Sequence, residues 1–440
     1  MPVPVVPMPI HWLASTAAHP FSFRVLLFAQ EKMSPVALLN SATSVAFSTA
    51  MFYSRAIVGA LCGVASVSAF TPLSAGGVAA RAVTAMALSS TSAETGTTAA
   101  GAGLDYVSGV SSLPDYDTYL LDMWGVMHDG SKPYDGVLDT ISQLKAKGKR
   151  LVILSNSSKR LSYAHKMLNK LGFNIDDFEQ IITSGEVSWR MMSGDESLAC
   201  DVWPVLTDLI ANNKKKVYLF GSGDNDEEYC DSAGWSLAPI EDADLILARG
   251  TFTLNDGNAI VSKKVDGEGA YFAAHDRVLR VAAERKIPML VANPDRVRPD
   301  EGFPPMPGAI GDAYERALAG DDSENVIIGQ SDLVRRIGKP HSEVYELALS
   351  RKVGDAGTSI VDLSVIMVGD ALETDIIGGK ASAVESLWVV ADGIHSEAVE
   401  DAGGYSNGGA EKVLKGFNEK KGYTNGDLVR PTHVVSNFRW

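Results

Sequence analysis

Four segments, far apart in the chain, each place polar or charged residues directly after an apolar run. TYLLDMWGV gives Asp122, and RLVILSN gives Ser155 and Asn156. RRIGKPH gives Lys339, and SVIMVGDALETD gives Asp370 and Asp375. Asp122 and Asp370, with main-chain carbonyls and water, make a hard-oxygen site suited to Mg²⁺. The Ser155 hydroxyl and nearby backbone N–H groups suit phosphoryl oxygens. Lys339 supplies a point charge that neutralises phosphate and holds a nucleophile ionised. A carboxylate can attack phosphorus and form an aspartyl-phosphate. Each segment alone is a weak signal, since Gly-Asp after a strand is usually a turn and Gly-Lys-Pro usually a loop. Four of them in this order, each at a strand end, carry the argument together.

The elements that must position these residues are short apolar strands alternating with amphipathic helices. GVLDTISQLKAKG puts Val137, Leu138, Ile141 and Leu144 at helical spacing, with Gly148 as a stop. SSKRLSYAHKMLNKLG predicts a capped helix with Leu161, Ala164, Leu168 and Leu171 on one face. QIIT, KVYLF, LILAR, PMLVAN, NVIIG and SVIMVGD read as further strands. Near-continuous apolar strands that alternate with helices imply an α/β fold, a doubly wound parallel sheet covered on both faces. In such sheets ligands bind beyond the carboxyl ends of the strands, so all four segments converge on one crevice. The stretch 184–291 has strands and helices of its own. It reads as an inserted α/β cap domain, placed to cover the cleft and exclude water. The expected divisions are a core of 113–183 plus 292–440, and a cap of 184–291.

The order of these motifs resembles the haloacid dehalogenase superfamily of aspartate-nucleophile hydrolases, from about Asp117 to the C-terminus. ANPD (Ala292–Asp295), then PPMPGAI, GKP and GDALETDI, resemble its class IIA subfamily of nitrophenylphosphatase type, in which a large cap follows the second motif. The resemblance implies Asp122 as nucleophile and Mg²⁺ ligand, and Ser155 and Asn156 as the phosphate-binding second motif. It implies Lys339 as the third motif, with Asp370 as a metal ligand supported by Asp375. It also implies a small phosphorylated metabolite as substrate, and a homodimer through the cap, since many class IIA members pair that way. Arg249, at a cap strand end, is a further candidate for binding substrate.

The sequence departs from this family at one position. Its phosphatases carry a second Asp two residues after the nucleophile, which protonates the leaving oxygen and then activates water. This chain has Trp124, whose indole N–H is a donor with no useful acidity. General acid–base help is worth ~10²–10⁴ in rate, about 3–5 kcal/mol of barrier. The metal is less affected, because the family residue at this place offers its main-chain carbonyl, and Trp124 keeps one. Three readings follow. The chain is a phosphatase whose substrate leaves easily, or whose acid comes from His128, Asp129 or the cap. It is a hydrolase of another kind. Or it binds a phosphate ester without turning it over.

Composition narrows the rest. The net charge of −15 argues against a general nucleic-acid binder. Cys62, Cys200 and Cys230 show no metal-ligand or disulfide spacing, which suits a reducing compartment. The first 93 residues hold only four of the 39 Lys and Arg and one of the 54 Asp and Glu. Within them, MFYSRAIVGALCGVASVSAFTP has the layout of a signal peptide over 51–69, too short to span a bilayer. A Ser-, Thr- and Ala-rich stretch without acids follows and has transit-peptide composition over 70–100. The SVSAFTP join resembles the bipartite plastid presequences of algae with secondary plastids. Residues 1–112 are therefore expected to be presequence and disordered linker, with the mature protein in the plastid and free of membrane; a cytoplasmic protein with an over-extended start is the alternative.

Overall fold

The computed structural model describes residues 103–195, 203–298, 302, 304–320, 325–350, 352–353, 358–359 and 364–440. The presequence reading, Cys62 and Cys200 lie outside them. Numbered along the chain, the strands are β1 (Thr118–Leu121), β2 (Arg150–Ser155), β3 (Gln180–Thr183), β4 (Lys216–Gly221), β5 (Ser236–Leu237), β6 (Leu245–Ala248), β7 (Thr253–Asn255) and β8 (Ile260–Ser262). They continue with β9 (Met289–Val291), β10 (Val334–Arg336), a short antiparallel pair β11 (Lys352–Val353) and β12 (Thr358–Ser359), then β13 (Val365–Gly369), β14 (Glu385–Val389) and β15 (His433–Val435).

The core sheet has the order β15-β14-β13-β1-β2-β3, and every pairing in it is parallel. Side chains alternate across a strand, so an apolar run such as LVIL feeds both faces. Leu120, Val152, Leu154 and Met367 enter one apolar cluster. Tyr119, Leu121, Leu151, Ile153, Ile366 and Val368 enter another on the opposite face. Helix Val137–Ala146 buries Val137, Ile141 and Leu144 against that second face, as its spacing predicts; Leu138 instead points outward. Helix Leu161–Lys170 has no side-chain cap from its own N-terminal residue. Glu186 supplies one from another helix, accepting from Leu161 N at 3.1 Å and pairing with Arg160.

The second sheet has the order β10-β9-β6-β4-β7-β8, with β5 also on β4. It is mixed, because β7 runs antiparallel to β4 and β8 antiparallel to β7. This sheet corrects the expected boundary at 292. PMLVAN forms β9 of the cap, within the expected bounds, but β10 adds parallel to β9 from beyond the ANPD segment, so the cap sheet continues past 292. Helix Pro307–Ala319 also packs on this sheet through Ile310 and Tyr314. The chain returns to the core near Ile337. NVIIG is not a strand, and its Ile327 is 65% exposed. The start of the core also shifts. Tyr106 bridges Val434, Val107 N donates to Val434 O at 2.9 Å, and Val110 is buried, so 103–112 is part of the core rather than linker.

Core and cap share one apolar cluster. It runs from Leu120 and Val152, through Val187 and Met191 of helix Ser184–Ser193, to Leu219, Leu247 and Leu290 of the cap sheet. No described helix is long and apolar enough to cross a membrane.

Candidate active site

Parallel register brings the strand ends together. Leu121 of β1 is paired with Ile153 of β2 and with Val368 of β13. Asp122, Ser155 and Asp370 therefore leave neighbouring strands at nearly the same level. Lys339 completes the group. Its side chain is 1% exposed, and its Nζ lies 2.8 Å from Asp122 Oδ1 and 2.7 Å from Asp375 Oδ1. Burial alone lowers a lysine pKa, but these two carboxylates outweigh it and raise it, so the ammonium stays charged. Burial raises the Asp122 pKa, and the Lys339 charge opposes that rise.

Asp122 Oδ1 also accepts from Met123 N at 2.8 Å, which leaves Oδ2 without a partner among the described residues. Asp375 sits on a single π turn, Leu372–Ile376. Its Oδ2 accepts from Asp370 N at 3.1 Å and Ala371 N at 3.0 Å, so it shapes the turn that presents Asp370. Asp370 Oδ2 accepts from Ile394 N at 2.7 Å, and its carbonyl accepts from Trp388 Nε1 at 2.9 Å. Burial and the neighbouring Asp375 and Asp122 push the Asp370 carboxyl well above the ordinary range, and burial pushes Asp375 to about 6.

A divalent hard cation fits these residues. Asp122, Asp370 and Asp375 offer carboxylate oxygens within 4.8 Å of one another. Among the described residues no N–H donates to the Trp124 carbonyl. Lys339 is a single positive charge among four carboxyls that interact electrostatically, Asp122, Asp295, Asp370 and Asp375. The excess negative charge is what a cation bound by oxygen ligands would relieve.

Asn156 is placed differently from a substrate-binding amide. Its Nδ2 donates to Asp295 Oδ1 at 2.8 Å and to Lys339 O at 3.0 Å. Its Oδ1 accepts from Lys339 N at 2.7 Å. The side chain is occupied in holding the Lys339 segment and Asp295 in place. Among the described residues Ser155 Oγ accepts only from Ser157 N, at 3.2 Å, which leaves its hydroxyl proton for a ligand. Arg249 is not brought to this group. It is 2% exposed and bound within the cap, paired with Asp226, donating to Asp224 O and lying over the Tyr229 ring. It organises the cap loop whose Ser222 and Asp224 meet Lys159 of the core, each at 3.1 Å.

Trp124 packs on the flap that follows β1. Its ring stands edge-on to His128 with centroids 6.1 Å apart, and it covers Gly130. His128 is 1% exposed, and burial lowers its pKa to about 4. Asp129 accepts from Ser131 N and Lys132 N in a turn. Sequence reasoning assigned no role to Gly125, Ser184, Ile394 or Asp295. Only Asp295 stood in a recognisable motif, ANPD; Gly125 and Ile394 act through close backbone approach and a backbone N–H, and the Ser184 hydroxyl donates to Ser155 O at 3.3 Å and Asn156 Oδ1 at 3.4 Å, none of which a local pattern reveals.

This geometry accompanies direct similarity. Residues 119–236 match the haloacid dehalogenase-like hydrolases, and residues 336–439 match a second family of haloacid dehalogenase hydrolase-like proteins. The chain belongs to the haloacid dehalogenase-like hydrolases. It is 26% identical over 303 residues to the 4-nitrophenylphosphatase of Schizosaccharomyces pombe, covering 65% of this chain and 87% of that one. It is 27% identical over 286 residues to the chloroplastic phosphoglycolate phosphatase 1A of Arabidopsis thaliana, covering 63% and 69%. A haloacid dehalogenase-like hydrolase of Brucella suis shares the fold, with TM-score 0.51 and 20% identity over 75% of this chain and 99% of that one. So does a superfamily protein of Cytophaga hutchinsonii, with TM-score 0.52 and 20% identity over 77% and 99%.

Proposed function

We propose that this hydrolase is a Mg²⁺-dependent phosphatase that acts on a small phosphorylated metabolite through an aspartyl-phosphate at Asp122. The clamp of Lys339 on Asp122 and Asp375 carries the reading. The Lys339 charge opposes the rise that burial gives the Asp122 pKa, favouring the carboxylate, while Asp122 Oδ2 is left to attack phosphorus. Ser155 Oγ and the main-chain N–H groups after β2 would hold the phosphoryl oxygens. Mg²⁺ held by Asp122, Asp370 and the Trp124 carbonyl, with Asp375 behind them, would offset phosphoryl charge as it builds. The phosphatase names of the relatives support the same chemistry.

The full-length chain with Mg²⁺ is expected to release phosphate from p-nitrophenyl phosphate or phosphoglycolate, and Asp122→Asn should abolish release. Tight phosphate-ester binding without release at any pH would instead establish a binding protein, the reading that Trp124 favours.

Two further proposals concern setting. The sequence of 51–100 and the chloroplastic relatives support plastid import. Residues 51–100 fused to a fluorescent protein should direct it to the plastid, and cytosolic fluorescence would overturn this. A homodimer through the cap is supported by Phe252, Ile260, Val265 and Phe272, which are exposed on and around the outer strands β7 and β8. Light scattering of the purified protein should give twice the monomer mass.

A further inference from the structure

Trp124 leaves the reaction without a carboxyl two residues after Asp122, so a proton for the leaving oxygen must come from elsewhere. The flap does not supply it. His128 is sealed in, and its Nδ1 accepts from Gly130 N at 3.0 Å. Asp129 is held as a carboxylate below its ordinary pKa by the N–H groups of Lys132 and Ser131. Glu373, beside the site, is also held below its ordinary value, because His395 outweighs the effect of burial.

Asp295 differs from each of these. It lies just beyond β9, on the segment that leads out of the cap sheet. Its Oδ1 is fixed by Asn156 Nδ2 at 2.8 Å, and its N–H is bound to Asn293 Oδ1 at 2.8 Å. The same Asn156 holds the main chain of Lys339, whose ammonium clamps Asp122. Pro294 packs against this segment too, since a Cβ on Gly338 would lie 2.9 Å from Pro294 Cδ. Asp295 is thus tied at short range to both the second and third motifs. Among the described residues its Oδ2 makes no hydrogen bond, and the side chain is partly exposed.

We propose that Asp295 is the proton donor and acceptor of this reaction, in place of the carboxyl that Trp124 lacks. The proposal rests on the phosphatase reading above. As Asp122 Oδ2 bonds to phosphorus, the bond from phosphorus to the leaving oxygen breaks, and its electron pair stays on that oxygen. The oxygen takes the proton from Asp295 Oδ2, and the product leaves as an alcohol. Asp295, now a carboxylate, takes a proton from the water that attacks the aspartyl-phosphate. The bond from phosphorus to Asp122 breaks, its electrons return to the Asp122 carboxylate, and Asp295 is again protonated. The groups that set its proton affinity are Asn156, Lys339, Asp122, Asp375 and Glu373. Burial is the largest influence and lifts the carboxyl to about 6, near where one group serves as both acid and base at neutral pH.

The test uses the full-length chain with Mg²⁺ and two substrates. p-Nitrophenolate leaves without a proton, whereas the alkoxide of phosphoglycolate needs one. Asp295→Asn keeps an acceptor for Asn156, so melting temperature and affinity for inorganic phosphate should match wild type. With p-nitrophenyl phosphate the variant should give a rapid stoichiometric burst of nitrophenolate, then slow turnover, because only the second step needs the base. With phosphoglycolate no burst should form, and turnover should fall by roughly 10²–10⁴-fold. Unchanged turnover, an equally slowed first step on both substrates, or loss of phosphate affinity would overturn the assignment and leave the phosphatase reading intact. No phosphate release from either substrate by wild type would overturn both.

Discussion

Gly125, on the flap after β1, has φ +82° and lies against the carboxylate of Asp370. A Cβ placed there would be 2.3 Å from Asp370 Oδ2, where ordinary contact begins at 3.4 Å. In Gly125→Ala, either the flap or Asp370 must therefore move by about 1 Å. A displacement of that size at a reacting centre costs on the order of 10²-fold in rate. The left-handed backbone adds about 1–2 kcal/mol of strain for a residue with a side chain. The assay is nitrophenolate release by the full-length chain as a function of Mg²⁺ concentration. Turnover should fall roughly 10²-fold, the half-saturating Mg²⁺ concentration should rise, and the protein should melt a few degrees lower. Gly136→Ala serves as the control. Its φ is also +82°, but its nearest neighbours are side-chain atoms of Arg439 at 3.3 Å and beyond. It should lose similar stability with no change in Mg²⁺ dependence. Wild-type Mg²⁺ dependence and turnover in Gly125→Ala would refute the close fit of flap and metal carboxylate.

Three other outcomes follow from the same geometry. Trp124→Asp should raise turnover on phosphoglycolate less than about tenfold in the wild-type background, yet should restore much of the ~10²–10⁴-fold lost in Asp295→Asn; steady-state rates of the two single variants and the double variant check this. Arg336, buried between Asp312 Oδ1 at 2.9 Å and Glu315 Oε1 at 2.8 Å, holds helix Pro307–Ala319 to β10, so Arg336→Met should cost about 3–5 kcal/mol in denaturant unfolding. His128 stays neutral in the folded protein down to about pH 4, whereas the unfolded chain takes up its proton below pH 6.5. Its contribution is therefore present above that pH and lost as pH falls, by about 2 kcal/mol between pH 7 and pH 5, read as the change in stability difference between wild type and His128→Gln.

The continuous apolar runs, the helical spacing between them and the charged residues at their ends were enough to place Asp122, Ser155, Asp370 and Asp375 in one crevice; Lys339, expected there too, instead follows β10 of the cap sheet, and its ion pairs with Asp122 and Asp375 bring it to the group. That inference is local. A strand buried on both faces must be apolar throughout, and its first polar residue marks its carboxyl end. The cap boundary was not legible in this way. The cap was expected to end with β9 at 291, yet β10 (Val334–Arg336) lies beyond the ANPD segment, and only its pairing with β9 assigns it to the cap sheet. The Asn156 amide and the Arg249 guanidinium look from sequence like substrate ligands. Both are engaged elsewhere, Asn156 by Asp295 and Lys339 and Arg249 by Asp226 and the Asp224 carbonyl, although the buried Arg249 Nε has no partner among the described residues. A sequence shows that a polar group must find a partner when buried, because an unpaired one is costly. Which partner it finds, and so whether it remains free for chemistry, is decided only when the strand ends meet.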